Sequence, residues 1–114
     1  MKIERSETDG VVVIGPVEAV EVNFDNCDAF REGFEREVQL GDRHVVLDAT
    51  RIGFFDSAGM SALLSLQKGF EKRDGELVLA GLNPSVNEVF RMVGFDVLFR
   101  TFPDVTTAAG SFDE

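Results

Sequence analysis

The sequence predicts an α/β fold: a mixed sheet of four to five strands, covered by helices, in the order β β α β α β α β α. Three observations predict it. Apolar spacing alternates along the chain between a period of two and one of about 3.6. Short apolar runs such as His44-Val45-Val46-Leu47-Asp48 and Leu77-Val78-Leu79-Ala80 read as strands buried on both faces of a sheet. Turn pairs, Asp9-Gly10 and Asp74-Gly75, punctuate the runs.

The elements follow in order. A short strand begins at Ile3 and ends near Glu7, and Asp9-Gly10 turns it tightly into Val11-Val12-Val13-Ile14. These two strands should pair antiparallel, which makes the sheet mixed. Gly15-Pro16 closes the second. Residues 26 to 40 read as a helix, with Cys27, Phe30, Phe34 and Val38 on one face and Asp25, Asp28, Glu32, Glu35 and Glu37 on the others. Asn23 or Asn26 can cap its start and Gly41 can close its end.

After the His44 strand, Ile52-Gly53-Phe54-Phe55 leads to Asp56-Ser57 and a second helix running to about Lys72, with Met60, Leu63, Leu64 and Phe70 inward. Asn83-Pro84 is a helix start: Asn caps, and Pro takes the first helical position. Val86, Val89, Phe90 and Val93 follow at helical spacing, with Gly94 as the stop. Val97-Leu98-Phe99 reads as the last strand, and residues 104 to 109 as a weak final helix. Strands separated by single helices should lie parallel through right-handed crossovers.

Composition narrows the function. The 114 residues suit one domain, residues 1–114, which buries roughly two thirds of its unfolded surface without help from metal or disulfide. Eleven basic against 21 acidic side chains leave a net charge of −10, which repels nucleic acid backbones and anionic membrane surfaces. A protein partner with a basic face is compatible with it. One Cys and one His provide neither a disulfide nor a zinc set, so the expectation is a reducing, cytoplasmic setting with no cofactor. The N-terminus has no apolar signal core, and the longest apolar runs fall far below the ~20 residues of a membrane helix.

The chemistry-bearing stretch is Phe54-Phe55-Asp56-Ser57-Ala58-Gly59-Met60. Asp56 can accept the first free amides of the helix it opens. Ser57 then sits in a first turn where backbone N–H groups are unpaired and the dipole is positive, so a phosphate there is tolerated. Taken alone, this spacing is equally that of an ordinary capped helix.

Enzyme readings fare worse. A nucleophilic Ser57 needs a base in hydrogen-bond reach. His44 starts a strand whose five residues span roughly 16 Å toward that corner, and Lys68 lies about three turns along the same helix. Asp48 and Asp56 could converge at one sheet edge as a metal pair, but two strands before the first helix do not suit a receiver-type fold. Gly53, Gly59 and Gly69 lack phosphate-loop spacing. Cys27 reads as core. The late cluster Phe95, Phe99 and Phe102 offers side chains for a protein-binding surface if exposed.

Taken together, the strand Val45-Val46-Leu47-Asp48, the step Phe55-Asp56-Ser57-Ala58-Gly59-Met60 with Leu63-Leu64, Asp74-Gly75-Glu76-Leu77-Val78-Leu79, and Pro84-Ser85-Val86 with Phe90 and Gly94-Phe95 resemble the STAS domain family of bacterial anti-sigma factor antagonists. The likeness covers about residues 10 to 108. It implies a STAS-like sheet and a non-enzymatic partner switch. Ser57 would be phosphorylated by a partner that is both anti-sigma factor and serine kinase. The unphosphorylated form would capture the kinase, the phosphorylated form would release it, and a PP2C-like phosphatase would reset the cycle. The partner-binding corner would comprise Glu18, Asp56, Ser57, Ala58, Gly59 and Met60.

Two departures mark this chain. Ala58 stands where many members carry a second hydroxyl. Gly15-Pro16-Val17-Glu18 stands in for the family's Gly-Glu-Leu-Asp, with Glu18 as the acid. The rival implied by the same resemblance is a constitutive STAS-type subunit of a transporter or signalling assembly, without a phosphoswitch.

Overall fold

The computed structural model describes residues 1–113. Its main sheet has five strands, β1 (Ile3–Thr8), β2 (Val11–Pro16), β4 (His44–Asp48), β6 (Glu76–Ala80) and β7 (Thr101–Phe102), in the order β1-β2-β4-β6-β7. β3 (Val20–Val22) and β5 (Ile52–Phe55) pair separately as a two-stranded parallel sheet. The helices are α1 (Cys27–Glu37), α2 (Ser57–Glu71), α3 (Pro84–Met92), the single turn α4 (Phe95–Leu98) and α5 (Val105–Gly110). The fold is mixed α/β, as the sequence predicts.

The opening hairpin forms as expected. Asp9 and Gly10 take φ of 53° and 80°, the two left-handed positions of a type I′ turn. β1 and β2 pair antiparallel through Ile3 opposite Pro16, while β2, β4, β6 and β7 run parallel.

Period-two alternation sorts the buried strands into two cores. Ile14, Val45, Leu47, Leu77 and Leu79 join the larger one with Phe30, Phe34, Leu63, Phe70 and Phe90 of the helices. Val13, Val46, Val78 and Ala80 join Ala108 of α5 in the smaller one. Aromatic contacts tie the helices of the larger core to one another and to β5: Phe34 meets Phe70 edge-on at 6.5 Å, Phe30 meets Phe55 edge-on at 6.3 Å, and Phe55 meets Phe90 at a tilt at 5.6 Å.

Five elements differ from the sequence reading. β3 falls in a stretch read without structure, and Ile52-Gly53-Phe54-Phe55, which leads to Asp56-Ser57, is its partner strand. α1 ends at Glu37, and Gly41, at φ of 96°, turns the following loop instead of closing the helix. Neither expected asparagine caps the helix with its side chain: Asn23 Oδ1 accepts from the amides of Asp25 and Asn26, ahead of the first turn.

Val97-Leu98-Phe99 is not a strand. Gly94, at φ of 82°, restarts the chain as α4, because Phe95 and Phe99, one helical turn apart, stack at 5.8 Å, and Phe95 also meets Phe90. The final strand forms instead at Thr101–Phe102 beside Leu79 and Ala80. Val93 and Met92, at the end of α3, are exposed, so Val93 leaves the apolar face proposed for it.

Candidate functional site

β5, paired parallel with β3, runs toward the start of α2. β5 ends at Phe55, Asp56 spans one extended residue, and α2 begins with Ser57. Asp56 caps the helix: its Oδ1 accepts from Gly59 N–H at 2.9 Å. Its second oxygen reaches across the fold to accept from the Phe24 amide at 2.9 Å. One carboxylate therefore joins the α2 start to the loop between β3 and α1. The Gly59 amide, then those of Phe24 and Ala58, hold its carboxyl below the usual carboxylate range, against the opposing effect of burial.

Ser57 is exposed, and Ala58 is half-buried. Gly59 and Met60 are placed differently from a contact surface. Gly59 is buried, and a Cβ there would run into the Val22 carbonyl, so the glycine lets α2 start against β3. Met60 is half-buried and packs on the larger core.

Glu18 does not join this corner. Val20 lies opposite Ile52 and Val22 opposite Phe55. Glu18 thus precedes the β3–β5 pair, whereas Ser57 follows it, at the other end of the two strands. Glu18 is exposed and lines a groove with Met1, Lys2 and Asn26. The segment that actually borders Ser57 is Val22-Asn23-Phe24. The Val22 carbonyl accepts from Asp56 N–H at 3.1 Å, and Phe24 is tied to Asp56 as above.

Sequence reasoning missed Phe24, whose side chain is 81% exposed. The available signal was an aromatic residue flanked by Asn23, Asp25 and Asn26, which favour turns rather than core. Phe24 stands at the mouth of a shallow groove between α1 and α2 that Cys27, Arg31, Ala58, Ser61 and Ser65 also line. Cys27 is therefore half-buried at the groove, with Sγ 3.7 Å from the Phe24 carbonyl, not fully within the core.

The residues weighed for other chemistry lie elsewhere. His44 opens β4 at the far rim and stacks on Phe112 at 4.8 Å. Asp48 Oδ1 accepts from both the amide and the hydroxyl of Thr50. Among the described residues, no helix is long and apolar enough to cross a membrane.

Comparison with known proteins adds five findings. The model of the STAS domain matches residues 2–108. The chain is 35% identical over 112 residues to BtrV of Bordetella bronchiseptica, whose name describes an anti-sigma factor antagonist, covering 98% of this chain and 95% of that one. Among solved structures, a Thermotoga maritima protein described in the same terms superposes with a TM-score of 0.86 at 18% identity, covering 98% of this chain and 95% of that one. The anti-sigma factor antagonist SpoIIAA, in its unphosphorylated form, superposes at 0.67 with 21% identity, covering 87% and 86%. The Bacillus SpoIIAA has also been solved in its phosphorylated form, at 0.57 with 19% identity over 87% and 89%.

Proposed function

The chain belongs to the STAS domain family, and from that premise we propose that it is an anti-sigma factor antagonist switched by phosphate on Ser57. Unphosphorylated, it binds an anti-sigma factor that is also a serine kinase. Phosphorylated, it releases that partner until a PP2C-like phosphatase removes the phosphate. The observation that carries the reading is Ser57 itself: an exposed hydroxyl residue opening α2, next to a carboxylate that fixes both the helix start and the neighbouring loop. The naming of the Bordetella relative and the existence of SpoIIAA in two phosphorylation states support it.

The physics needs no large rearrangement. Phosphate adds about −1.5 to −2 charges. A partner carboxylate ~5 Å away at an effective dielectric of ~20 would be repelled by roughly 3 kcal/mol per unit charge pair. That is on the order of a hundredfold in affinity. Within the chain, Asp56 already faces the first turn, so the added charge also competes for the amides that Asp56 holds. In this cycle the chain is bound and modified; it supplies no catalytic group.

Incubation with ATP and a serine kinase of the anti-sigma type, followed by intact mass, tests the proposal. Wild-type protein should gain one phosphate and Ser57→Ala none, while Ser57→Ala still binds the kinase and Ser57→Asp binds it about a hundredfold more weakly. Undiminished phosphate in Ser57→Ala would refute the assignment. Kinase binding without any phosphate on the wild type would instead make the chain a constitutive binding module.

A further inference from the structure

We propose that Phe24 is the apolar anchor by which this chain engages its kinase partner, and that the pocket receiving it is apolar with a basic rim; the inference rests on the function proposed above. A phenylalanine 81% exposed contributes nothing to either core. Left in water it is unfavourable by roughly the 1.5–3 kcal/mol that burial of such a ring returns. It is nevertheless held in one place. Asp56 grips its amide, and the Cys27 thiol lies against its carbonyl.

The flanking asparagines stiffen the loop further. Asn23 Oδ1 accepts from Asp25 N–H at 3.0 Å, Asn26 Oδ1 accepts from Asn23 N–H at 2.8 Å, and Asn26 Nδ2 donates to the Glu21 carbonyl at 2.7 Å. An aromatic ring on a preorganised loop loses little entropy when it docks, and such rings carry much of the energy of protein interfaces.

Position and charge identify the occupant. Asp56 bridges Phe24 to the turn that begins with Ser57, so a partner whose active site reaches Ser57 also reaches Phe24. The surroundings are acidic: Glu21, Asp25 and Asp28 are exposed beside it. Arg31, the cation of the adjoining groove, is neutralised by Glu35 at 2.8 Å and Asp28 at 3.9 Å. The complementary surface is therefore an apolar pocket rimmed by lysine or arginine, which steers association through its charge. Asp56 acts here as a positioning residue, because both of its oxygens are already committed within the chain.

Affinity of the purified kinase for a set of variants, read by calorimetry at two salt concentrations, tests this. Leu40→Ala serves as control, since Leu40 is fully exposed at the opposite rim. Phe24→Ala should weaken binding tenfold or more with an unchanged thermal midpoint, whereas Leu40→Ala should change neither. Asp25→Asn with Asp28→Asn should flatten the salt dependence, while Phe24→Ala leaves that slope as it is. Binding of Phe24→Ala within twofold of wild type would overturn the anchor. An unaltered slope in the double variant would overturn the basic rim. A wild-type chain that binds no such kinase would bring down the proposed function itself, and this inference with it.

Discussion

At the starting ends of the parallel strands, long cations lace the loops together. Arg5 donates to both carboxylate oxygens of Asp42, at 3.1 Å to Oδ1, and also to the Glu37 carbonyl. Arg73 reaches the carbonyls of Gln39 and Asp42, and Arg100 pairs with Glu76. At the finishing ends there is no such lacing among the described residues. Asp56, Asn23, Asn26 and Asn83 hold backbone groups with short side chains, and Ser57 and Phe24 remain exposed beside them. One rim commits its polar groups to joining elements of the fold. The other uses short acceptors to keep the backbone in place while its distinctive side chains stay available. Stability and recognition should therefore separate when the rims are altered one at a time.

The largest loss of stability is expected from the laced rim. Asp42→Ala leaves a mostly buried Arg5 without its carboxylate and should cost about 3 kcal/mol, on the order of 10 °C in thermal midpoint. Phosphate incorporation at Ser57, measured at a temperature where the variant is folded, should be unchanged. A variant that loses stability and phosphorylation together would break the comparison.

Next comes Gly59→Ala, at the other rim. Its methyl would meet the Val22 carbonyl and push α2 from β3, at a cost of about 2 kcal/mol. Here binding should fall as well, since the displaced segment carries Phe24. Urea unfolding together with kinase affinity reads both effects.

Acid should expose the contrast through titration. The Arg5 guanidinium, then the Gln39 amide, hold Asp42 below its ordinary value of 3.8, although burial opposes them. A carboxyl depressed in the folded state stabilises above its unfolded pKa, and that stabilisation is lost as pH falls through the folded pKa. The contribution of Asp42 should thus be complete above about pH 5 and decline below pH 4. Arg5, raised by the same pair, stays charged throughout. Asp42→Asn should flatten the fall in urea midpoint between pH 5 and pH 2.

The smallest effect on stability is expected from Asp56→Asn. The side chain still accepts from Gly59 or Phe24 but loses its charge at the helix start. Its signature should be faster hydrogen exchange at the Phe24 amide, with a thermal midpoint shifted less than in either variant above.

Much of this was legible in the residues. Asp9-Gly10, the β-branched run after it, and Asn83-Pro84 act through neighbours within four positions, and each formed as expected; Asn83 accepts from Val86 N–H at 2.9 Å. The Asp56 cap was equally local. β3 and β5 were not legible, because three or four residues have no amphipathic period long enough to read, and their pairing spans about thirty positions. Linear analogy to a motif puts Glu18 near Ser57. The register of β3 against β5 carries it away and brings Phe24 in its place.

By itself, then, the sequence determined which strands are buried, where the hairpin turns, how α2 is capped and which hydroxyl residue opens it. Those features depend on side-chain periodicity, on left-handed backbone at Asp9 and Gly10, and on hydrogen bonds spanning three residues. The tertiary structure alone decided that Val97-Leu98-Phe99 would not be a strand, that Gly59 serves packing, and that the loop beside Ser57 is the one carrying Phe24. Each of those outcomes is set by contacts between segments, where the Phe90–Phe95–Phe99 stack, the Val22 carbonyl and the second oxygen of Asp56 outweigh the local preference of the chain.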